Sequence, residues 1–112
     1  MSAITCHVLD TSLGKPIAGL AVRLARIEAG TCEPLGAAVT DQDGRVKTLL
    51  GARPLSAGVY RLSFETGAHY EKLGQASFYE RVEIEFRVAD ATEHYHVPLL
   101  LSPFGYTTYR GS

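Results

Sequence analysis

Apolar and polar residues alternate along this chain over short segments that are separated by Gly, Pro, Asp and Ser. A period of two is typical of strands with one buried face, and the regular interruptions favour an antiparallel β-sandwich. The pattern predicts about eight strands, near residues 3–9, 20–28, 34–40, 45–50, 58–65, 82–89, 94–101 and 104–110. One short helix is predicted at 68–73, with Gly74 as its C-terminal cap.

The outward faces of the predicted strands differ in character. In the strand near 82–89 the outward positions are charged, as a solvated sheet requires: Glu83, Glu85 and Arg87. The outward faces of the first strand and of the strand near 94–101 instead combine apolar side chains with histidines: Thr5, His7, Leu9, His94, His96, Pro98 and Leu100. If these two strands share a sheet, that surface marks an interface or a ligand groove. We therefore expect an oligomer whose contact surface holds the site.

The segment from Asp41 to Gly44 predicts a turn. Asp43-Gly44 favours a hairpin in which both central residues have positive φ. A calcium loop is disfavoured because Arg45 and Val46 stand where it needs an oxygen ligand and a glycine. Arg45 is then either a plain surface charge or a planar donor fork directed at a substrate oxygen.

Length and charge limit the classes of function. A chain of 112 residues with 46% apolar residues suffices for one core, so a single domain over 1–112 is expected. Eleven basic against twelve acidic residues leave a net charge of -1, which favours neither nucleic acid nor an anionic membrane. A small-molecule or protein partner is expected. Without a signal-type start or an apolar run of membrane-spanning length, the expected location is the cytoplasm.

Nucleophile motifs are absent from the sequence. Cys6 and Cys32 lack CxxC spacing and are interpreted as reduced, buried thiols. Cys6 precedes His7, but strand alternation sends their side chains to opposite faces, so a Cys-His pair is not expected.

The histidines leave several interpretations open. His69, in the predicted helix, is interpreted as structural. His7, His94 and His96 form either a three-imidazole zinc site with an open position, an acid-base pair or simple hydrogen-bonding groups for a ligand. Zinc is disfavoured because no carboxylate on the same strand face would orient the rings.

Three separated motifs, in order along essentially the whole chain, carry a family resemblance. The segment from His94 reads HYHVPLLLSPFGYTTYRGS, the first strand region reads ITCHVLDTSLGKPIAGL, and DQDGRV lies between them. These segments resemble the signatures of 5-hydroxyisourate hydrolases of the transthyretin-like family. The resemblance implies an all-β, prealbumin-like sandwich of two four-stranded sheets with one short helix. It also implies a homotetramer, a dimer of dimers, with active sites at the dimer-dimer interface.

The implied reaction is hydrolysis of 5-hydroxyisourate at an acyl C–N bond in urate breakdown, by a cyclic amide hydrolase that needs no metal or cofactor. Its product is 2-oxo-4-hydroxy-4-carboxy-5-ureidoimidazoline. The family's catalytic residues correspond to His7, Arg45 and His96. Its substrate-binding ending corresponds to the final tetrapeptide: Tyr109, Arg110, Gly111 and Ser112.

Three other functions compete with this one. A non-catalytic small-ligand carrier of transthyretin type has the same fold, but such carriers lack the histidines and this ending. An immunoglobulin-like adhesion domain is disfavoured by the absence of Trp and of paired cysteines. A zinc hydrolase on His7, His94 and His96 is the third.

Overall fold

A computed structural model describes residues 3–112 of the chain. Over this range the backbone forms nine strands and one helix. Their bounds are β1 Ile4–Asp10, β2 Lys15–Pro16, β3 Ala21–Glu28, β4 Thr31–Val39, β5 Arg45–Val46, β6 Gly58–Phe64, α1 Thr66–Lys72, β7 Val82–Val88, β8 Tyr95–Ser102 and β9 Gly105–Thr108.

The strands form two sheets, which confirms the predicted sandwich. The first has the order β2-β1-β8-β9 with β5 also paired to β1, and the second has the order β4-β3-β6-β7. The first sheet therefore has five strands rather than four, because β2 was not predicted. Two residues are too few to show a period, so neither the existence of β2 nor the shortness of β5 could be detected from alternation.

The core lies between the two sheets and follows the alternation. From the first sheet Ile4, Cys6 and Val8 are completely buried, and from the second sheet Leu62 and Phe64 are completely buried. The predicted core faces of β1 and β6 are thus confirmed. In β7 the charged residues of the outward face are exposed, also as predicted.

The single helix follows β6 directly. Gly74 lies just beyond its last turn with φ of 67°, and its N–H donates to the carbonyl oxygen of Glu71. This arrangement confirms the predicted role of Gly74 in ending the helix, since the left-handed region costs glycine little. The helix begins two residues earlier than predicted, at Thr66. Within residues 3–112 no helix is both long and apolar enough to span a membrane.

Two predictions about individual segments were wrong. The turn at Asp43-Gly44 does not join paired strands, because β4 pairs with β3 in one sheet and β5 pairs with β1 in the other. Only Gly44 of the two residues has positive φ, at 75°. Cys32 is exposed rather than buried, although both cysteines are free thiols as predicted. Its position at the start of β4, an edge strand, leaves it uncovered.

Candidate active site

Strand pairing brings the candidate residues together on the outward face of the first sheet. β1 and β8 run parallel, so that Thr5 lies opposite His96 and His7 lies opposite Pro98. On the other side of β1, the short β5 places Arg45 opposite His7. The condition stated from the sequence, that β1 and β8 share a sheet, is therefore met. This pairing makes neighbours of Thr5 and His96, which are 91 positions apart in the chain.

The turn before β5 is held firmly against β1. The Asp41 carboxylate accepts from the backbone N–H groups of Asp43 and Arg45, each at 2.9 Å. The N–H of Val8 donates to the carbonyl oxygen of Gly44 at 2.7 Å. A Cβ at Gly44 would lie 2.4 Å from the Val8 carbonyl oxygen, so this close approach requires glycine. The turn therefore fixes where Arg45 leaves the backbone.

A cavity of about 300 Å³ opens on this face. His7 lies beside it, with its ring centre 6.5 Å from that of His96. The cavity is lined by Thr5, Cys6, Arg45, Lys47, His94, His96 and Ser112.

Each histidine at the site has one ring nitrogen already engaged. Nε2 of His7 donates to the carbonyl oxygen of Asp43 at 2.8 Å. Nδ1 of His96 lies 2.7 Å from the Thr5 hydroxyl, and Nε2 of His94 lies 3.0 Å from the same oxygen. Because a neutral imidazole has one donor and one acceptor nitrogen, these contacts constrain which nitrogen of each ring remains for a ligand.

The environment of His96 disfavours its charged form. Burial lowers the pKa of His96 below its ordinary value of 6.5, and the neighbouring Arg45, His7 and His94 lower the pKa further. This lowering favours the neutral imidazole near pH 7, and the tautomer of the ring then decides whether it presents a donor or an acceptor to a ligand.

The end of the chain closes one side of the site. Gly111 pairs with His96 across a single bridge, in which the Gly111 N–H donates to the His96 carbonyl oxygen at 2.8 Å. A Cβ at Gly111 would lie 2.8 Å from Cδ2 of His96 and 3.0 Å from Cγ of Pro98. This contact requires glycine, and it brings Ser112 to the cavity wall.

Tyr109 and Arg110 lie outside the cavity that holds Arg45. Both line a neighbouring cavity of about 250 Å³. His96 lies between the two cavities and lines both of them. Arg110 donates to Glu93 and to the His94 carbonyl oxygen, and its guanidinium lies 4.4 Å from the centre of the Tyr95 ring. Through these contacts Arg110 anchors the last four residues, 109–112, which we call the tail.

The geometry also bears on cysteine and metal chemistry. Burial raises the pKa of the Cys6 thiol to about 12, and its side chain belongs to the core, so it is unsuited to act as a nucleophile. Within residues 3–112 no group of three or more His, Cys, Asp or Glu side chains is placed to hold a metal ion. Nε2 of His94 and Nδ1 of His96 both face the Thr5 hydroxyl instead of a shared open position for a metal ion.

His69 lies away from this site, on α1, where its ring packs edge-on against Tyr70 at 5.0 Å between centroids. Burial lowers its pKa.

Two cavity residues, Thr5 and Lys47, were not singled out from the sequence as functional residues. Thr5 shares the outward face of β1 with His7, which is a sequence signal, but its importance depends on a partner from β8.

Comparison with known proteins identifies relatives along almost the whole chain. Residues 4–111 match the model of the HIUase/Transthyretin family. The chain is 46% identical over 114 residues to a Mus musculus 5-hydroxyisourate hydrolase, covering 99% of this chain and 96% of the relative. The solved 5-hydroxyisourate hydrolase of Klebsiella pneumoniae superimposes with a TM-score of 0.86 at 42% identity, covering 97% of this chain and 98% of that one.

A transthyretin is also structurally similar. Sea bream transthyretin, solved in complex with thyroxine, superimposes with a TM-score of 0.92 at 32% identity, covering 98% of this chain and 95% of that one. The backbone of the chain is therefore shared by hydrolases and by a thyroxine-binding protein, and side chains must distinguish between the two.

Proposed function

The chain belongs to the HIUase/Transthyretin family, and we propose that it hydrolyses 5-hydroxyisourate to 2-oxo-4-hydroxy-4-carboxy-5-ureidoimidazoline in urate breakdown. One observation carries the proposal: His7, Arg45 and His96 meet on one sheet face, at a cavity to which the chain end contributes Ser112. Hydrolase relatives at 41 to 49% identity over nearly the full chain support the same conclusion.

His7 serves as the general base in this proposal. Its Nε2–H is committed to the Asp43 carbonyl oxygen, so its Nδ1 is the nitrogen that accepts a proton from the attacking water. The carbonyl oxygen also stabilises the imidazolium that results, because it accepts from the ring on the opposite side. The activated water then adds to the acyl carbon of the substrate.

Arg45 stabilises the oxygen of that acyl group as it gains negative charge. A guanidinium offers several N–H donors in a plane, which suits a planar, oxygen-rich substrate. His96, as a neutral imidazole, donates an N–H hydrogen bond to the leaving nitrogen, and the proton that His7 took from the water passes to that nitrogen as the C–N bond breaks. Ser112 positions substrate or water from the tail, and Gly111 allows the tail to lie against His96. Tyr109 contacts the substrate from the neighbouring cavity, and Arg110 holds the tail in place.

We propose the assembly to be a homotetramer whose dimer-dimer interface covers this sheet face. The face supports this assembly because half-buried Leu9 and Leu100 flank the histidines, in contrast with the charged outward face of β7. A partner subunit would exclude water from the cavity and strengthen its electrostatic interactions. A location in the cytoplasm and independence of metals and cofactors stay predictions, tested by cell fractionation and by an assay after dialysis against a chelator.

The hydrolase assay generates 5-hydroxyisourate in place with urate oxidase and follows its ultraviolet decay with and without the protein. We expect decay to accelerate in proportion to protein concentration, equally before and after chelator treatment. A rate equal to spontaneous decay would overturn the enzyme proposal. Loss of activity after chelation with recovery on adding zinc would overturn the acid-base mechanism.

A carrier function is the second candidate, and the TM-score of 0.92 to a thyroxine complex is the observation that favours it. Carriers need no proton-transfer groups, whereas this cavity contains two histidines and has a third beside it. Calorimetry with thyroxine tests the alternative: micromolar binding by a protein that does not accelerate decay of 5-hydroxyisourate would favour the carrier.

A further inference from the structure

Two residues outside the proposed catalytic set, Thr5 and His94, connect to His96 through one hydroxyl. The Thr5 hydroxyl lies between His94 and His96, at 3.0 Å from Nε2 of the first and 2.7 Å from Nδ1 of the second. Thr5 is only 4% exposed although it belongs to the outward face of β1. His94 is exposed and immediately precedes β8, and its ring lies nearly parallel to that of His96 with 6.5 Å between centroids.

We propose that Thr5 and His94 are positioning residues for His96, and that they hold it in the tautomer whose Nε2 carries the proton. This inference rests on the proposed hydrolysis for its effect on rate, but the tautomer itself is a property of the resting protein. A hydroxyl has one proton to donate, so when it donates to one of the two rings it can only accept from the other.

The two distances indicate the direction of the hydrogen bonds. Bonds donated by hydroxyls are usually shorter, about 2.7–2.8 Å, than those donated by N–H groups, about 2.9–3.0 Å. We therefore assign the shorter contact to the Thr5 hydroxyl donating to Nδ1 of His96, since the tautomer of each ring decides which group donates. The longer one is Nε2–H of His94 donating to the Thr5 oxygen. His96 then has a filled acceptor at Nδ1 and a proton on Nε2.

This tautomer complements that of His7. His7 commits its Nε2–H to a backbone carbonyl and offers an acceptor nitrogen, whereas His96 commits its acceptor nitrogen to Thr5 and offers an N–H. The two rings at one site thus carry opposite roles, an acceptor for the water proton and a donor for the leaving nitrogen. The backbone of Gly111 lies beside Cδ2 of His96, on the Nε2 side of the ring.

The test combines nitrogen NMR of the histidine rings with kinetics. In wild-type protein at pH 7.5 we expect His96 to show a single tautomer with protonated Nε2. Thr5→Val keeps the shape of the buried side chain but removes the hydroxyl, so we expect the Nε2–H tautomer of His96 to lose its dominance. We expect kcat to fall roughly 10- to 100-fold, by analogy with the partners that orient metal-binding histidines, with KM changed by less than about threefold.

Matched variants separate positioning from folding. Thr5→Ser retains the hydroxyl and should restore both the tautomer and kcat. His94→Gln keeps an N–H donor and should resemble wild type. His94→Leu lacks one and should weaken the tautomer preference less than Thr5→Val, because the Thr5 hydroxyl can still donate to Nδ1 of His96. Because His94 is exposed, neither change disturbs the core. His69→Gln serves as the spectroscopic control, because that ring lies on the helix.

Two results would overturn the inference. The first is an unchanged His96 tautomer in both Thr5→Val and His94→Leu, and this result counts whether or not the protein hydrolyses 5-hydroxyisourate. The second is a changed tautomer with an unchanged kcat, which would leave Thr5 and His94 without a part in the reaction. If the wild-type protein itself fails to accelerate decay, the hydrolase proposal fails, and the tautomer assignment is still decided by the spectra.

Discussion

At the scale of single residues, the site depends on histidines whose surroundings differ. His96 is half-buried and held by Thr5, His7 is held by a backbone carbonyl, and His69 packs against Tyr70 on the helix. From the sequence, His69 is interpreted as a structural residue, and His7 and His96 are interpreted as catalytic residues. The sequence could not supply the partners of each ring nitrogen at the site, because those partners come from segments remote in sequence.

Replacing the two site histidines is expected to affect the proposed activity selectively. His7→Ala and His96→Ala should each lower kcat/KM by roughly 10²- to 10⁴-fold, the usual contribution of a positioned acid or base. His69→Ala should change kcat/KM little, since its ring is remote from the cavity. The measurement is the ultraviolet decay of 5-hydroxyisourate. Equal losses in all three variants would contradict the assignment of the histidines.

Gly111 offers a test of tail geometry with a single methyl group. In Gly111→Ala the new Cβ would lie 2.8 Å from Cδ2 of His96, so either the tail or the ring must move. A displacement of about 1 Å can cost roughly 100-fold at a positioned site, and we expect kcat/KM to fall at least tenfold. Gly105→Ala is the matched control, because its Cβ would approach nothing closer than 3.7 Å. Similar rates for the two variants would contradict the proposed contact.

At the scale of elements, the site is assembled from short pieces. β5 is two residues long, yet its pairing with β1 places Arg45 opposite His7. The tail after β9 is attached by one bridge at Gly111 and by the exposed contacts of Arg110. The alternation pattern predicted the long strands with useful accuracy. It overestimated β5 and missed β2, because pairing rather than periodicity defines such short strands.

Truncating or extending the tail should separate activity from stability. We expect deletion of Arg110 to Ser112, or a tag added after Ser112, to lower kcat/KM strongly, because either change alters the cavity wall. Thermal stability should change little, since Arg110 and Glu93 form an ion pair between side chains that are 57% and 50% exposed and such pairs contribute little to stability. The assay and a thermal melt measure the two effects.

The same tag placed before Met1 is the control for the tail experiment, and it should be less damaging. A carboxy-terminally tagged protein with the wild-type rate would show that the tail has no part in hydrolysis. A large fall in melting temperature on deletion would show instead that the tail supports the fold. The loss of rate would then be explained by unfolding and would contradict a direct role of the tail in hydrolysis.

At the scale of the whole molecule, half-buried histidines couple folding to pH. Burial lowers the pKa of both His69 and His96 below 6.5, so the unfolded chain binds protons more readily than the folded chain. The free energy of unfolding is therefore expected to decrease as the pH falls from 7 to 5.5. Carboxylates titrate mainly below this window, near pH 4.

Denaturant titrations between pH 7 and 5.5 test this coupling. We expect the unfolding midpoint to fall with decreasing pH, and His69→Gln to reduce the slope because one of the two groups is then removed. A midpoint that stays constant or rises as the pH falls would contradict the expectation.

The proposed assembly is tested by a charge on the outward sheet face. Leu100→Glu places a carboxylate in the proposed dimer-dimer interface, where burial would be costly, so we expect tetramers to dissociate into smaller species by light scattering. Leu73→Glu is the control and should remain tetrameric, because Leu73 follows the end of α1 and is 59% exposed. A wild-type protein that is monomeric at micromolar concentration would overturn the assembly.

The sequence by itself determined the core faces of β1 and β6, since alternation is a local property and every residue that it predicted for those faces is buried. It also indicated His7, Arg45 and His96 as chemical residues. Only the tertiary structure decided that β1 pairs in parallel with β8 and that β5 joins β1 instead of β4. The physical reason is that strand neighbours are chosen by packing between distant segments, which no local period encodes. The Thr5 contacts with His94 and His96 follow from that choice alone.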